Sequence, residues 1–480
     1  MRQKQQSIQV FLSLFIAGVA IALIVWLLGK LTGTPDTIVP TPIPSTVSPP
    51  SSFLNQHLSV GDKILITAHT NPEKEAGVQA FAKGDFVTAL KKFEESLKID
   101  RNDPEALIYL NNAKIAYANA KSFEVAVATG IGGNLDTAQE VLRGVAQAQN
   151  EVNSSGGING RPLQIEIVND EGNENTSKKL APDLAKDSNI LAVIGHGDTK
   201  GSLSAAPIYN AQGLVMITPS YGPAKLSQIG EYIFRGSPDS SVTAKALAEY
   251  IVQKAHIKNI AICTDSSASA SNTASKTTIN EFTQAISEAG GKVSNTVCNF
   301  GAADFNPNTV MNQAISDGAK GLLIMPQVNK LRPAIELAQA NGGRLGLFSH
   351  GGLYTYETLN SGRQNFNGLI LSAFWHPDAD ANNPFFKNAT ALWEAKVNAR
   401  TASAYDTLQA IIAGLKVAGL KQGNTREELQ KALSDPTFSA SGAIGKIQFL
   451  PSRARQGKPL LIKIAPGSSS GTGYDFVLMR

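Results

Sequence analysis

Apolar positions recur along this chain in three rhythms, and the changes between them divide it. From Gln5 to Gly29 no residue is charged, and SIQVFLSLFIAGVAIALIVWLLG over 7–29 is apolar nearly throughout. About 20 residues rising about 1.5 Å each span a bilayer, so this stretch predicts a membrane-spanning helix. Between 71 and 120 apolar residues fall at helical spacing: Phe86, Ala89, Leu90, Phe93 and Leu97, then Leu107, Leu110 and Ala113. Pro72 and Pro104 suit first-turn positions, where no N–H is needed, and Gly84-Asp85 breaks the first helix from the second. From Phe123 onward the rhythm is strand and helix in alternation.

That alternation reads as two sets. VAVAT, LQIEIVND, LAVIG, LVMIT and YIFRGS are predicted strands, with helices at 136–153, about 174–186 and 200–211. A second set opens with a helix at 240–255 and continues through NIAICT, a helix at 272–288, VSNTVCN, a helix at 306–317, GLLIM, a helix at 329–340, LGLFS and GLILSA. Helices dominate 384–434, and GKIQF, LLIKI and YDFVLM close the chain. Continuous apolar strands joined by helices predict parallel sheets covered on both faces, hence an α/β fold of two doubly wound lobes.

Charge adds an orientation. Arg2 and Lys4 precede the apolar segment and Lys30 follows it, so the N-terminus stays cytoplasmic and the rest is exported. A cleaved signal peptide is the rival reading, but the apolar run exceeds the usual ~7–15 residues and no A-x-A site follows. No cysteine lies nearby, which excludes lipoprotein processing. Residues 33–52, rich in Pro, Ser and Thr, read as an extended leash. The expected organisation is a cytoplasmic stub (1–6), a signal anchor (7–29), a linker (30–60), a helical segment (61–120) and an α/β part (121–480). Within the last, the first lobe is expected over about 122–238 and 376–445, the second over about 239–375 and 446–480. The net charge is +4 with no dense Lys/Arg run after the anchor, which argues against a nucleic-acid partner. Cys263 and Cys298 end consecutive predicted strands; either they pair or they are two buried thiols.

Residue chemistry points away from catalysis. The histidines at 57, 69, 196, 256, 350 and 376 never take H-x-x-x-H spacing, so no metal site is expected. No G-x-S-x-G elbow or G-x-x-x-x-G-K-[ST] loop occurs, and Gly130-Ile131-Gly132-Gly133-Asn134 lacks the third glycine of a dinucleotide site. No cofactor is expected. In doubly wound lobes ligands bind at the carboxyl ends of the strands. Those ends here are small and polar: LAVIG runs into His196-Gly197-Asp198-Thr199-Lys200-Gly201-Ser202, and LVMIT into Pro219-Ser220-Tyr221-Gly222. Free backbone N–H groups at such helix starts suit a carboxylate or another compact polar solute. Thr199 and Ser220 are either ligand contacts or plain helix caps.

Two resemblances sharpen this. The spacing of Ala80, Phe81, Gly84, Phe86, Ala89, Phe93, Leu97 and Pro104 resembles one tetratricopeptide repeat and a half, implying either a docking module for a protein partner or a helical spacer. The series SGGINGRPLQIEIVNDEGN, LAVIGHGDTKGSLSAAPIYNAQGLVMITPSYGPAKLS, FRGSPDSS, TASAYDTLQAIIAGL and GKIQF resembles the type I periplasmic solute-binding proteins, in particular the branched-chain amino-acid receptors of ABC importers. The resemblance implies two lobes joined by three crossovers that close by a hinge, and an ABC permease and ATPase as partners. It implies that the first lobe holds a ligand carboxylate through Thr199 and through Ser220, with Asp198, Tyr221 and Gly222 beside them. In the second lobe an acid for the ligand ammonium is expected where Ser349-His350-Gly351-Gly352 stands, and none is there. Asp265 could substitute, and His350 could supply one hydrogen bond or be a turn histidine. The segment SSASASNTASK lacks the usual aromatic. These departures widen the expected ligand from an α-amino acid to a small amide, organic acid or larger polar solute. Tyr405-Asp406 is expected to be structural. A regulatory ectodomain acting through the helical segment is the alternative function.

Overall fold

A computed structural model of the chain describes residues 52–219, 224–265, 273–326, 330–380, 382–418 and 425–480. The expected anchor and most of the linker lie outside the described residues, among which no helix is long and apolar enough to cross a membrane.

Residues 52–60, expected as the end of the linker, instead form a helix (Ser52–His57) and strand β1 (Leu58–Ser59). The reason is an edge that needs covering. β1 pairs antiparallel with β3 (Leu163–Asn169), Leu58 opposite Val168 and Ser59 opposite Ile167. Leu54 is buried beside Leu180 and Leu184. Farther along the same edge, Asn112 mimics a strand: its Oδ1 accepts from Ile165 N–H at 3.2 Å and its Nδ2 donates to Ile165 C=O at 2.7 Å.

The helices Pro72–Ala82, Phe86–Ile99 and Pro104–Tyr117 stand where the apolar spacing predicts them. Asn71, Asp85 and Asp103 cap them by accepting from the N–H of Lys74, Thr88 and Ala106. Gly77 is required by packing, since a Cβ there would lie 2.7 Å from the Phe93 ring. The third helix is buried on nearly every face and packs on the helix Leu135–Ser154. Its Leu107, Ile108 and Tyr109 share one apolar core with Val125, Val145 and Leu408 of the first lobe. Lys74, wholly buried, lies 2.7 Å from Asp103 and 2.6 Å from Glu105. Burial alone would pull its ammonium down; the two carboxylates outweigh that and hold its pKa above the usual range.

The first-lobe sheet runs β1-β3-β2-β4-β5-β6, with β2 (Phe123–Thr129), β4 (Ile190–Ile194), β5 (Val215–Thr218) and β6 (Ile233–Arg235) parallel to β3. One face carries the helices Leu135–Ser154 and Ala399–Ala418, the other Glu174–Lys186 and Thr199–Ala211. Gly144 lets the first pair meet, because a Cβ there would fall 2.3 Å from the Thr401 carbonyl. Asp406 reads as structural, as expected. It accepts from the Ala443 and Ile444 N–H groups beside the hairpin β12 (Ala440–Gly442) and β13 (Gly445–Ile447), and pairs with buried Arg455 at 2.5 Å.

The second-lobe sheet runs β15-β14-β11-β10-β9-β7-β8. β7 (Asn259–Thr264), β8 (Lys292–Val293), β9 (Gly321–Met325), β10 (Gly346–His350) and β11 (Ile370–Ala373) are parallel; β14 (Leu460–Pro466) and β15 (Tyr474–Leu478) are antiparallel additions. The strand expected over VSNTVCN stops at Val293. Ser294 and Thr296 bond each other and Thr296 bonds Asp317, which diverts the backbone from the ladder. The segment returns to β7 as a single bridge, Thr264 with Asn299, and there Cys263 and Cys298 form a disulfide. The lobes are joined after β6, β11 and β13. The first and third connections bond each other, Arg235 N–H to Arg453 C=O at 2.9 Å and Arg455 N–H to Arg235 C=O at 3.0 Å.

Candidate functional site

Each sheet reverses its order once. In the first lobe β3 and β4 lie on opposite sides of β2; in the second β8 and β9 lie on opposite sides of β7. The crevice at such a reversal, beyond the carboxyl ends of the strands, is where open α/β sheets receive ligands. Asp198 and Thr199 follow β4, next to the loop after β2. Asp265 follows β7, and His350 ends β10, one strand beyond β9. Topology therefore places the described candidates at the crevice ends of their lobes.

Thr199 begins the helix Thr199–Ala211, half-buried, and its hydroxyl has no partner among the described residues. It is not the cap; Asp198 is. Asp198 Oδ1 accepts from Lys200 N–H at 2.8 Å and Gly201 N–H at 2.9 Å. This corrects the expectation of free backbone donors at that helix start. The chain's own carboxylate occupies them, because an N-cap Asp satisfies both the orphan donors and the positive helix end. Asn134 does likewise for the helix after β2, accepting from Thr137 N–H at 2.9 Å.

The loop after β4 is held from below by a buried chain that the sequence reading missed. His196 Nδ1 lies 2.7 Å from Asp170 Oδ2, and its Nε2 lies 3.2 Å from the Tyr209 hydroxyl; all three residues are fully buried. A carboxylate only accepts, so Nδ1 carries the proton, and in the neutral ring Nε2 accepts from Tyr209. Burial, with the Asp170 charge second, pushes the Tyr209 phenol far above its usual range, so it stays a donor. Nothing in sequence spacing announces this trio; its members sit on three separate elements. Thr129, at the end of β2, is also buried and its Oγ1 has no partner among the described residues.

Asp265 is buried, its carboxylate against Gly301: a Cβ on Gly301 would lie 2.4 Å from Oδ1. The bridge at Asn299 and the disulfide hold that segment beside β7. His350 is the turn histidine of the two readings. Its Nδ1 accepts from Gly352 N–H at 2.8 Å, which puts the ring proton on Nε2. Burial pulls its pKa down to about 4, so at neutral pH the ring is uncharged and Nε2–H is a single remaining donor. Ser220, Tyr221 and Gly222 lie outside the described residues, as do residues 266–272 after Asp265.

Comparison with known proteins agrees with this architecture. Residues 124–462 match the family model described as periplasmic binding protein. The chain belongs to the periplasmic binding protein family. Within it the chain is of type I and resembles the branched-chain amino-acid receptors. It is 30% identical over 156 residues to the Leu/Ile/Val-binding protein of Escherichia coli, a match spanning 32% of this chain and 42% of that relative. Among solved structures it is similar to a leucine binding protein of Thermotoga maritima, with a TM-score of 0.63 at 19% identity over 74% of this chain and 98% of that one. It is equally similar, TM-score 0.63 at 18% identity over 74% and 96%, to a solute binding protein of an ABC transporter from R. palustris in complex with benzoate. At these identities the structures speak for the fold alone.

Proposed function

We propose that this chain is a membrane-anchored, extracytoplasmic receptor that captures a small polar solute between its lobes and delivers it to an ABC importer. The carrying observation is the Thr199 hydroxyl, without a partner among the described residues, at the sheet reversal of the first lobe, with Asp265 at that of the second. Thr199 O–H and His350 Nε2–H offer donors and Asp265 offers an acceptor, which suits an amino acid, an amide or a related compound. Ser220, Tyr221 and Gly222 are proposed as further first-lobe contacts. The relatives' ligands, leucine and benzoate, fall within small carboxylate-bearing solutes. The apolar 7–29 segment supplies the anchor, and the leash keeps the receptor at high local concentration near its permease. The regulatory alternative is less well supported, since the third helix of the repeat-like segment is spent inside the first-lobe core.

Mass spectrometry of solutes released on denaturing the native protein tests the proposal. One small polar solute should appear near stoichiometry and be lost from a Thr199→Ala/Asp265→Ala variant. A solute profile identical in both proteins would refute it.

A further inference from the structure

A cavity is lined by residues other than the described crevice candidates. It has a volume of about 210 Å3 and sits where the second and third connections pass between the lobes. Phe374 and Trp375 come from the second connection, Phe385 and Phe386 from the helix it leads into, Ile444 from the β12–β13 hairpin and Leu460 from the start of β14. None of Asp198, Thr199, Asp265 and His350 lines it.

Four aromatic side chains contribute to its walls, and the His376 and Asn383 side chains are committed to other partners. The Trp375 ring lies 6.2 Å from Phe385 at 82° and 6.1 Å from Phe386 at 53°, forming a ring-lined corner. His376 spends Nε2 on the Phe476 carbonyl at 3.1 Å and Nδ1 on the Asp378 N–H at 3.1 Å. Asn383 spends its amide on the Gly442 and Ala443 carbonyls and its oxygen on the Phe385 N–H. Among the described lining residues only Lys458 and Asp380, both exposed, remain as charges. The rings give the space a flat apolar wall beside a polar rim, and a space of this order is large enough for a single ring system.

We propose that this hinge cavity is a second ligand site, for a small neutral aromatic molecule of one ring or one fused pair. Its walls belong to two of the connections about which the lobes turn, so its occupancy and the lobe angle are linked, and each influences the other. The inference does not rest on the crevice reading, because the two sites share no named residue.

The probe is indole, titrated into the full-length chain in detergent by calorimetry and by hydrogen exchange. Expected are one site per chain and exchange protection over residues 374–386 and 443–460. Ala443→Leu, which fills the cavity, should weaken indole about tenfold or more, while Thr199→Ala should leave it within about twofold. Absence of heat and of protection up to about 5 mM indole overturns the proposal, since that concentration should saturate even a weak small-ligand site. Binding lost in Thr199→Ala but kept in Ala443→Leu overturns it too, by placing the ring in the crevice. The exchange readout uses unaltered protein, so it decides the matter even if Ala443→Leu fails to fold.

Discussion

Thr199 and Asp198 divide between them a task that the sequence assigned to one loop. Asp198 satisfies the helix start, and the Thr199 hydroxyl, at the first position of the helix that follows β4, has no partner among the described residues. Thr199→Ala should weaken binding of the captured solute by about 1–2 kcal/mol, the worth of one hydrogen bond to a charged or polar group, and leave the melting temperature unchanged. Calorimetry and thermal melting read both. Glu166 supplies a different residue-scale test. Burial, then the neighbouring Glu124 and Asp187 charges, pushes its carboxyl up to about 8 from the usual 4.5. The folded chain keeps that proton up to about 8, whereas the unfolded chain releases it near 4.5. This group's contribution therefore lowers stability as pH rises through that window and is flat above it. Glu166→Gln should remove that part of the decline, visible as a flatter melting-temperature profile over the same pH range. Neither Asp198's capping role nor Glu166's raised pKa is legible from composition, since each depends on which neighbour the fold supplies.

Among the elements, periodicity served well where side chains only had to alternate between faces. NIAICT, GLLIM and the helix Glu174–Lys186 stand where the apolar pattern put them. It failed where side chains compete with the backbone. Ser294 and Thr296 pull VSNTVCN off its ladder, and Asn112 takes a place at a strand edge that no strand pattern encodes. The buried Lys74 with Asp103 and Glu105 fastens the first helix of the repeat-like segment to the third. Glu105 also accepts from the Leu65 N–H at 2.7 Å and the Tyr109 hydroxyl at 2.8 Å, so the network reaches the preceding loop. Lys74→Met should cost about 3–5 kcal/mol in chemical denaturation, because it leaves two buried carboxylates without their cation. A loss under about 1 kcal/mol would mean the carboxylates simply take up protons at little cost.

For the whole molecule, the sequence reading placed a boundary near residue 121, but the first-lobe core runs across it: Leu107, Ile108 and Tyr109 pack with Val125 and Val145. A fragment beginning at residue 122 would also lose β1 and Asn112 from the edge of β3. It should be poorly soluble or melt well below a fragment beginning at Ser52, as comparison of the two by thermal melting would show. The two-lobed plan was legible because alternating strands and helices leave few arrangements. The ligand was not, because the described candidates at the crevice ends of the sheets, Thr199, Asp265 and His350, lie far apart in the chain. The central claim is that the paired sheet reversals form a capture site for a small polar solute. Its most direct test is a thermal-shift survey of the full chain against amino acids, amides and small organic acids. The account predicts that one such class raises the melting temperature of the native protein and leaves that of Thr199→Ala/Asp265→Ala unmoved. A flat response to every class, or an equal rise in the variant, would contradict it.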